Sequence, residues 1–325
     1  MSLTKMRFFA ITSLAVFLTA CGDSGLDKKS GKTLYQEATQ QLYAKDAQFN
    51  FNANMAVEAE AEAENPMLAD LKINISGAIN NITKRYEFVP EVEAAIFNFK
   101  IPIFIDGKNN EILLNTSNFI DAALMFVPQA KNELKQYKNK FVRFSPDNFE
   151  INEDDMAQAM TIASQAAKIG YGVMGEFTQA IPESSIQKLE LDDKAKQLDA
   201  KAVLKVTLDQ QQSEALQKHI NTYIYDQVAA NEELPEEFKT EFMQALLESD
   251  SDSGFESSES VLYLNAKGQI VHDQNVLNYD IEDEKVSVSM TTDYSNYGKA
   301  SFSVYPEKDQ IIEFTEENMR SLQQM

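Results

Sequence analysis

Between Gln48 and Glu64 the side chains alternate almost without fault. Phe49, Phe51, Ala53, Met55, Val57, Ala59, Ala61 and Ala63 take the odd positions, and Asn50, Asn52, Asn54, Glu58, Glu60, Glu62 and Glu64 take even ones. Period two sends neighbours to opposite faces of a strand, one apolar and one wet. Ala and Glu favour helix by propensity. A helix, however, would set Glu58 over Glu62 and Glu60 over Glu64, like charges at i,i+4. The phase unbroken from Phe49 decides for strand. At ~3.3 Å per residue such a run reaches about 55 Å, far beyond an ordinary strand, so it must curve strongly or break.

The same period returns further on. Asn65-Pro66 turns the chain, and Leu71, Ile73, Ile75 and Ile79 resume the odd apolar face. Near Asn80-Asn81 the phase flips to Ile82, Tyr86 and Phe88, which predicts a bulge. Residues 94–105 read as one strand with Phe97, Phe99, Ile101, Ile103 and Ile105 on one side. Asp106-Gly107-Lys108-Asn109 is a hairpin signal, and Ile112 to Leu114 continues beyond it.

Helical spacing takes over from Asn118, where Phe119, Ala122, Ala123 and Phe126 share a face, and Pro128 opens a second helix through Tyr137. A third helix is predicted over 152–169, with Asn152 as cap and Gly170 as stop. Strands follow at 186–191 and 198–208, then helices over 213–230 and from Pro235. Residues 249–260 read as an exposed Ser/Asp/Glu-rich loop. Strands over 261–264, 270–279, 286–294 and 300–305 end the chain as a meander. Short turns between consecutive strands imply an antiparallel sheet, and the helices make the class α+β. No linker interrupts the run, so residues 33–325 read as a single domain. The apolar faces read either as a filled core between sheet and helices or, if strands this long curve, as the lining of an apolar hollow under the helices.

The chain has 29 Lys and Arg against 51 Asp and Glu, a net charge of −22. A phosphate backbone calls for clustered cations, so nucleic acid is not an expected partner. One Cys excludes an intrachain disulfide and a cysteine-built zinc site. Gly170-Tyr171-Gly172-Val173-Met174-Gly175 matches G-x-G-x-x-G. A dinucleotide site needs those glycines between a strand and a helix, whereas these follow a helix and read as its stop and a crossover. Asp250-Ser251-Asp252-Ser253-Gly254 fails as a calcium loop, because Gly254 and Phe255 fall where an acid and a glycine are required. The Glu58–Glu64 ladder reads as a solvated strand face. His219 and His272 are linked by no motif, and Asp273 next to His272 would point to the opposite face. No catalytic residue, metal ligand or cofactor is assigned on these grounds, and the chain reads as non-enzymatic.

Lys5 and Arg7 precede an uncharged apolar stretch from Phe8 to Ala20. It is short of the ~20 residues a membrane-spanning helix needs. Leu18-Thr19-Ala20-Cys21 follows, and here the sequence resembles a bacterial lipoprotein. The resemblance implies cleavage of residues 1–20, a diacylglyceryl group on the Cys21 thiol and an acyl group on its new amine. Each buried methylene contributes about 0.8 kcal/mol, so two or three chains hold a protein on a bilayer. The implied membrane contact is this anchor. Gly22 stands where an Asp favours inner-membrane retention in enteric bacteria, so the pattern resembles sorting to the outer membrane, on its periplasmic side. Residues 21–32, Gly/Ser-rich after the Cys, read as a flexible tether. Cleavage would remove Lys5 and Arg7 and no carboxylate, leaving the body more acidic still.

With its lipobox, leading helix, long alternating strands, mid-chain helices and a closing Phe302-Ser303-Val304-Tyr305-Pro306, the body resembles the Lol carrier and mycobacterial LppX and LprG group of envelope proteins. That resemblance implies an unclosed antiparallel half-barrel covered by helices, with acyl chains on its concave face. The residues expected to line such a cavity are Phe49, Phe51, Met55, Ile73, Phe97, Phe99, Ile101 and Ile103. The function so implied is an envelope lipoprotein that binds a lipid, or the acyl chain of a lipoprotein, without catalysis. The alternative is an assembly or interaction lipoprotein with a solid core and an acidic partner-binding surface. The residue pattern does not separate them, because a lined cavity and a filled core use the same side chains.

Overall fold

The computed structural model describes residues 25–59, 72–94, 97–116, 120, 134–144, 153–248, 255–281, 284–303, 306–313 and 315. Cys21, the apolar stretch before it, most of the two helices expected over 118–137 and the Asp250–Gly254 segment lie outside these residues.

The alternating runs form one sheet. Its first half is β1 (Gln48–Ala59), β2 (Lys72–Asn80), β3 (Arg85–Ala94), β4 (Phe97–Lys100), β5 (Ile103–Asp106), β6 (Glu111–Asn115) and β7 (Phe141–Phe144). The second half is β8 (Ile186–Leu189), β9 (Ala202–Asp209), β10 (Phe255–Leu264), β11 (Ile270–Ile281), β12 (Glu284–Ser295) and β13 (Ile311–Glu313). The strand order is β13-β7-β6-β5-β3-β2-β1-β12-β11-β10-β9-β8, with β4 also on β3. Every pairing is antiparallel except β13 with β7. The end strands β13 and β8 do not pair with each other, so the sheet is unclosed. The fold is the expected α+β half-barrel with helices laid over it.

The helices are α1 (Gly31–Leu42), α2 (Glu153–Ala180), α3 (Asp193–Gln197), α4 (Gln210–Ala229) and α5 (Glu236–Glu248). Their starts follow from local chemistry. Ser30 accepts from the Thr33 amide at the head of α1, and Asp192 accepts from the Ala195 amide at the head of α3. Asp209 and Gln212 exchange a full capping box at α4. Each cap satisfies amides that the first turn leaves unbonded.

Pairing assigns the faces. The odd residues of β1 share a face, here called inner, with the odd residues of β2 and β11 and the even residues of β3, β9 and β12. At the β8–β10 end that face is a closed core. Leu204, Val206, Leu208, Leu262 and Leu264 pack against Leu34, Tyr35 and Ala38 of α1, Leu216 of α4 and Ile181 just beyond α2. Leu26 belongs to this cluster as well and is 4% exposed, so the stretch read as a tether already carries a core residue. At the β7 end, Phe104, Leu113 and Phe141 close the outer face, and Ile120, Tyr137 and Val142 close the inner one.

Several expectations need correction. The phase flip at Asn80-Asn81 is no bulge but the turn between β2 and β3, with Lys84 in the left-handed region at φ 55° and Asn80 accepting from the Thr83 amide. The run 94–105 is divided, because Pro102 brings no amide to the ladder. The Ser-rich stretch 255–260 is strand, not loop. It is held between β9 and β11, with Ser260 bonded to Asn275 at 2.6 Å. Gly170 does not stop a helix, since α2 runs through all three glycines to Ala180. A Cβ at Gly172 would sit 2.1 Å from the Tyr223 hydroxyl, so the residue serves the approach of α4. Residues 300–303 do not add a strand. They cross the outer face, where Asn50 bonds the Ser301 carbonyl and amide at 2.6 and 2.9 Å and Glu87 accepts from the Ser303 amide at 2.8 Å.

Candidate functional site

Across the middle of the sheet the inner face is apolar and only half-buried. Register sets Met55 beside Ile73 and Met290, Ile73 beside Val92, and Val92 beside Phe99. Phe51 and Phe88 flank Gly77, their ring centroids 6.0 Å apart. A Cβ at Gly77 would lie 2.0 Å from the Glu87 carbonyl oxygen and 3.0 Å from the Phe51 ring, so only glycine lets these strands and rings close up. Ile103 and Leu114 extend the strip toward β7, and Ile112 on its rim is 42% exposed. At the closed end Leu204 and Leu264 are sealed completely. The contrast lies within one face: the helices that cover β8 to β10 leave the strip over β1, β2 and β3 partly open to water.

Of the residues expected to line a cavity, Phe51, Met55, Ile73, Phe99 and Ile103 lie on this half-open strip. Phe49 shares the face but is 4% exposed, packed 5.8 Å from the rings of both Tyr294 and Tyr297, so it is core. Phe97 pairs with Ala94 at the start of β4. Ile101 falls between β4 and β5, where its amide still donates to the Pro90 carbonyl at 3.0 Å.

The outer face is chemically the reverse. Asn74 donates to Asn52 at 3.0 Å and to Asn54 at 2.8 Å, a polar ladder across β1 and β2. His272 and Asp273 do face apart. The ring of His272 bonds Asp293 across the strands at 2.6 Å, whereas Asp273 accepts from the Tyr294 hydroxyl at 3.1 Å on the inner side. The Nε2 atom of His272 is buried without a hydrogen-bond partner. His219 pairs with Glu176 at 3.2 Å and ties α4 to α2. Among the described residues no three His, Cys, Asp or Glu side chains converge to hold a metal ion.

The strip meets a cleft of about 800 Å³ that sequence reasoning missed. It lies between the end of α1, the β2–β3 turn and α2. Tyr86 belongs to both, as a lining residue of the cleft and as the inner-face neighbour of Phe88 two residues along β3. Lys45, Lys84 and Lys168 line the cleft, and among the described residues no carboxylate lines it. A volume of this size is that of an ordinary small-ligand site. Nothing in the linear order of these residues could have brought them together.

Beneath α1 a buried polar group adjoins the closed core. Burial pushes the Asp273 carboxyl above its usual range. The phenols of Tyr294 and Tyr297 are pushed upward by burial and by nearby Asp273, and burial pushes Tyr35 up to about 12. Desolvation disfavours the charged form in each case.

No family model matches the chain, and no curated protein is significantly similar to it. Among the described residues no helix is long and apolar enough to cross a membrane.

Proposed function

We propose that this chain is a cell-envelope lipoprotein, anchored through acylated Cys21, whose inner sheet face holds a lipid or acyl chain without catalysing its turnover. One observation carries the reading. A contiguous apolar strip stays only half-buried in the middle of a sheet that carries closed hydrophobic clusters toward both ends. Exposed apolar surface is unfavourable by roughly 25 cal/mol per Å², and large contiguous patches of it mark binding sites. Each methylene laid there contributes on the order of 0.8 kcal/mol. The outer membrane, on its periplasmic side, is the location that fits the Gly22 pattern.

Ala53 tests the reading, because it lies half-buried on the strip beside Ile75. In a hollow, Ala53→Phe fills ligand space and costs less than ~1 kcal/mol, whereas overpacking a tight core costs ~1–3 kcal/mol. The expected result is lost binding of a fluorescent fatty-acyl probe with an unchanged denaturation midpoint. Clear destabilisation, with no probe binding even in the wild type, points instead to a solid-core interaction module.

A further inference from the structure

We infer that the cleft is the seat of an anionic head group, a phosphate or carboxylate, on the amphiphile whose apolar part lies along the inner face; this rests on the lipid-binding reading above. Three lysines line this cleft in a chain of net charge −22. Some lysines elsewhere hold carboxylates, as Lys29 does Glu37 at 2.5 Å and Lys205 does Glu259 at 2.8 Å. Others, such as Lys72, Lys218 and Lys267, form no ion pair among the described residues. What sets the cleft lysines apart is that three of them line one concave site. Lys45, Lys84 and Lys168 form no ion pair among the described residues.

Their placement is built into the fold. Lys45 sits in the α1–β1 connection, and Lys84 closes the β2–β3 turn. Asn81 ties the two together, its side chain donating to the Ala44 carbonyl at 2.7 Å and its amide to the Ala47 carbonyl at 2.9 Å. The Lys84 carbonyl in turn accepts from the Gly107 amide at 2.8 Å. Lys168 approaches from α2 across the cleft, with Tyr171 and Met174 beside it. Lysine presents a compact charge on an apolar stem, so its methylenes can line an apolar wall while the ammonium meets an anion at the rim. Charge-assisted hydrogen bonds are the strong ones, and they favour carboxylate or phosphate over a neutral head group. Tyr86 joins this rim to the strip, which fits one ligand with a charged head and an apolar tail.

The test uses the purified full chain with cis-parinaric acid and its methyl ester, which share one acyl chain and differ in the charge of the head. At mildly alkaline pH the wild type should bind the acid at least about tenfold more tightly than the ester, the difference of one good charged contact. The triple variant Lys45→Gln, Lys84→Gln, Lys168→Gln should bind the acid as weakly as the ester, with ester binding unchanged. The three side chains are exposed, so the melting midpoint should hold, and Lys168→Gln alone should show part of the loss. Equal binding of acid and ester by the wild type, or a preference that survives the triple variant, overturns the head-group site and leaves lipid binding standing. Failure of both probes overturns both. Inorganic phosphate that binds alone as tightly as the acid assigns the cleft to a free anion and overturns the head-group reading.

Discussion

Gly77 shows how much of the inner face depends on a single residue. It lies in β2 between Phe51 and Phe88, with the Glu87 carbonyl too close for any side chain. The obstacle is backbone and cannot rotate away. Gly77→Ala should therefore cost ~3 kcal/mol or more, at or beyond the upper end for overpacking, read as a drop in the denaturation midpoint. A cost within ~0.5 kcal/mol, typical of an inconsequential surface change, would mean that β2 and β3 are not so closely paired. Asp273 makes a pH-dependent prediction. Its raised pKa means that the native state holds a proton that the unfolded chain releases. Stability therefore falls as pH rises from the ordinary carboxyl value of 3.8 through the raised one. Asp273→Asn does not titrate, so its stability relative to wild type should grow between acid and neutral pH. A difference that stays flat with pH would contradict the burial of that carboxyl.

At the scale of elements, the contrast between the closed and half-open parts of one face can be measured directly. Leu264→Ala, in the sealed core, should cost ~2–5 kcal/mol. Ile75→Ala, on the strip, removes a side chain that water already reaches and should cost less than about half as much in the ligand-free protein. Equal costs would mean that the strip is ordinary core. The strip was legible in the sequence because a half-buried strand writes its two faces as period two. The Asp106 hairpin was legible because its buried carboxylate accepts from the Lys108 and Asn109 amides, a local bond pattern. What was not legible depends on distant partners. The α2 helix continues through three glycines because α4 packs on it, and helix propensity is worth only about 1 kcal/mol per glycine. The Ser-rich part of β10 is strand because it has neighbours on both sides. The His272–Asp293 bond needs the register of β11 on β12, and the lysine cleft needs three elements far apart in the chain.

For the whole molecule, the proposed design is an acidic body on a lipid anchor. Its net negative charge keeps it off anionic surfaces, and its basic groups at the cleft stand beside an apolar face that is only half-buried. The sheet remains unclosed, and hydrophobic clusters pack toward both its ends. The most direct test is to purify the full chain without added lipid, extract it with organic solvent and analyse the extract by mass spectrometry for non-covalently held molecules. The account predicts an acyl-chain amphiphile with a phosphate or carboxylate head, near one per protein and depleted in Ala53→Phe. An extract that contains no lipid above a control protein, from a chain that also fails to take up added fatty acid, would contradict it.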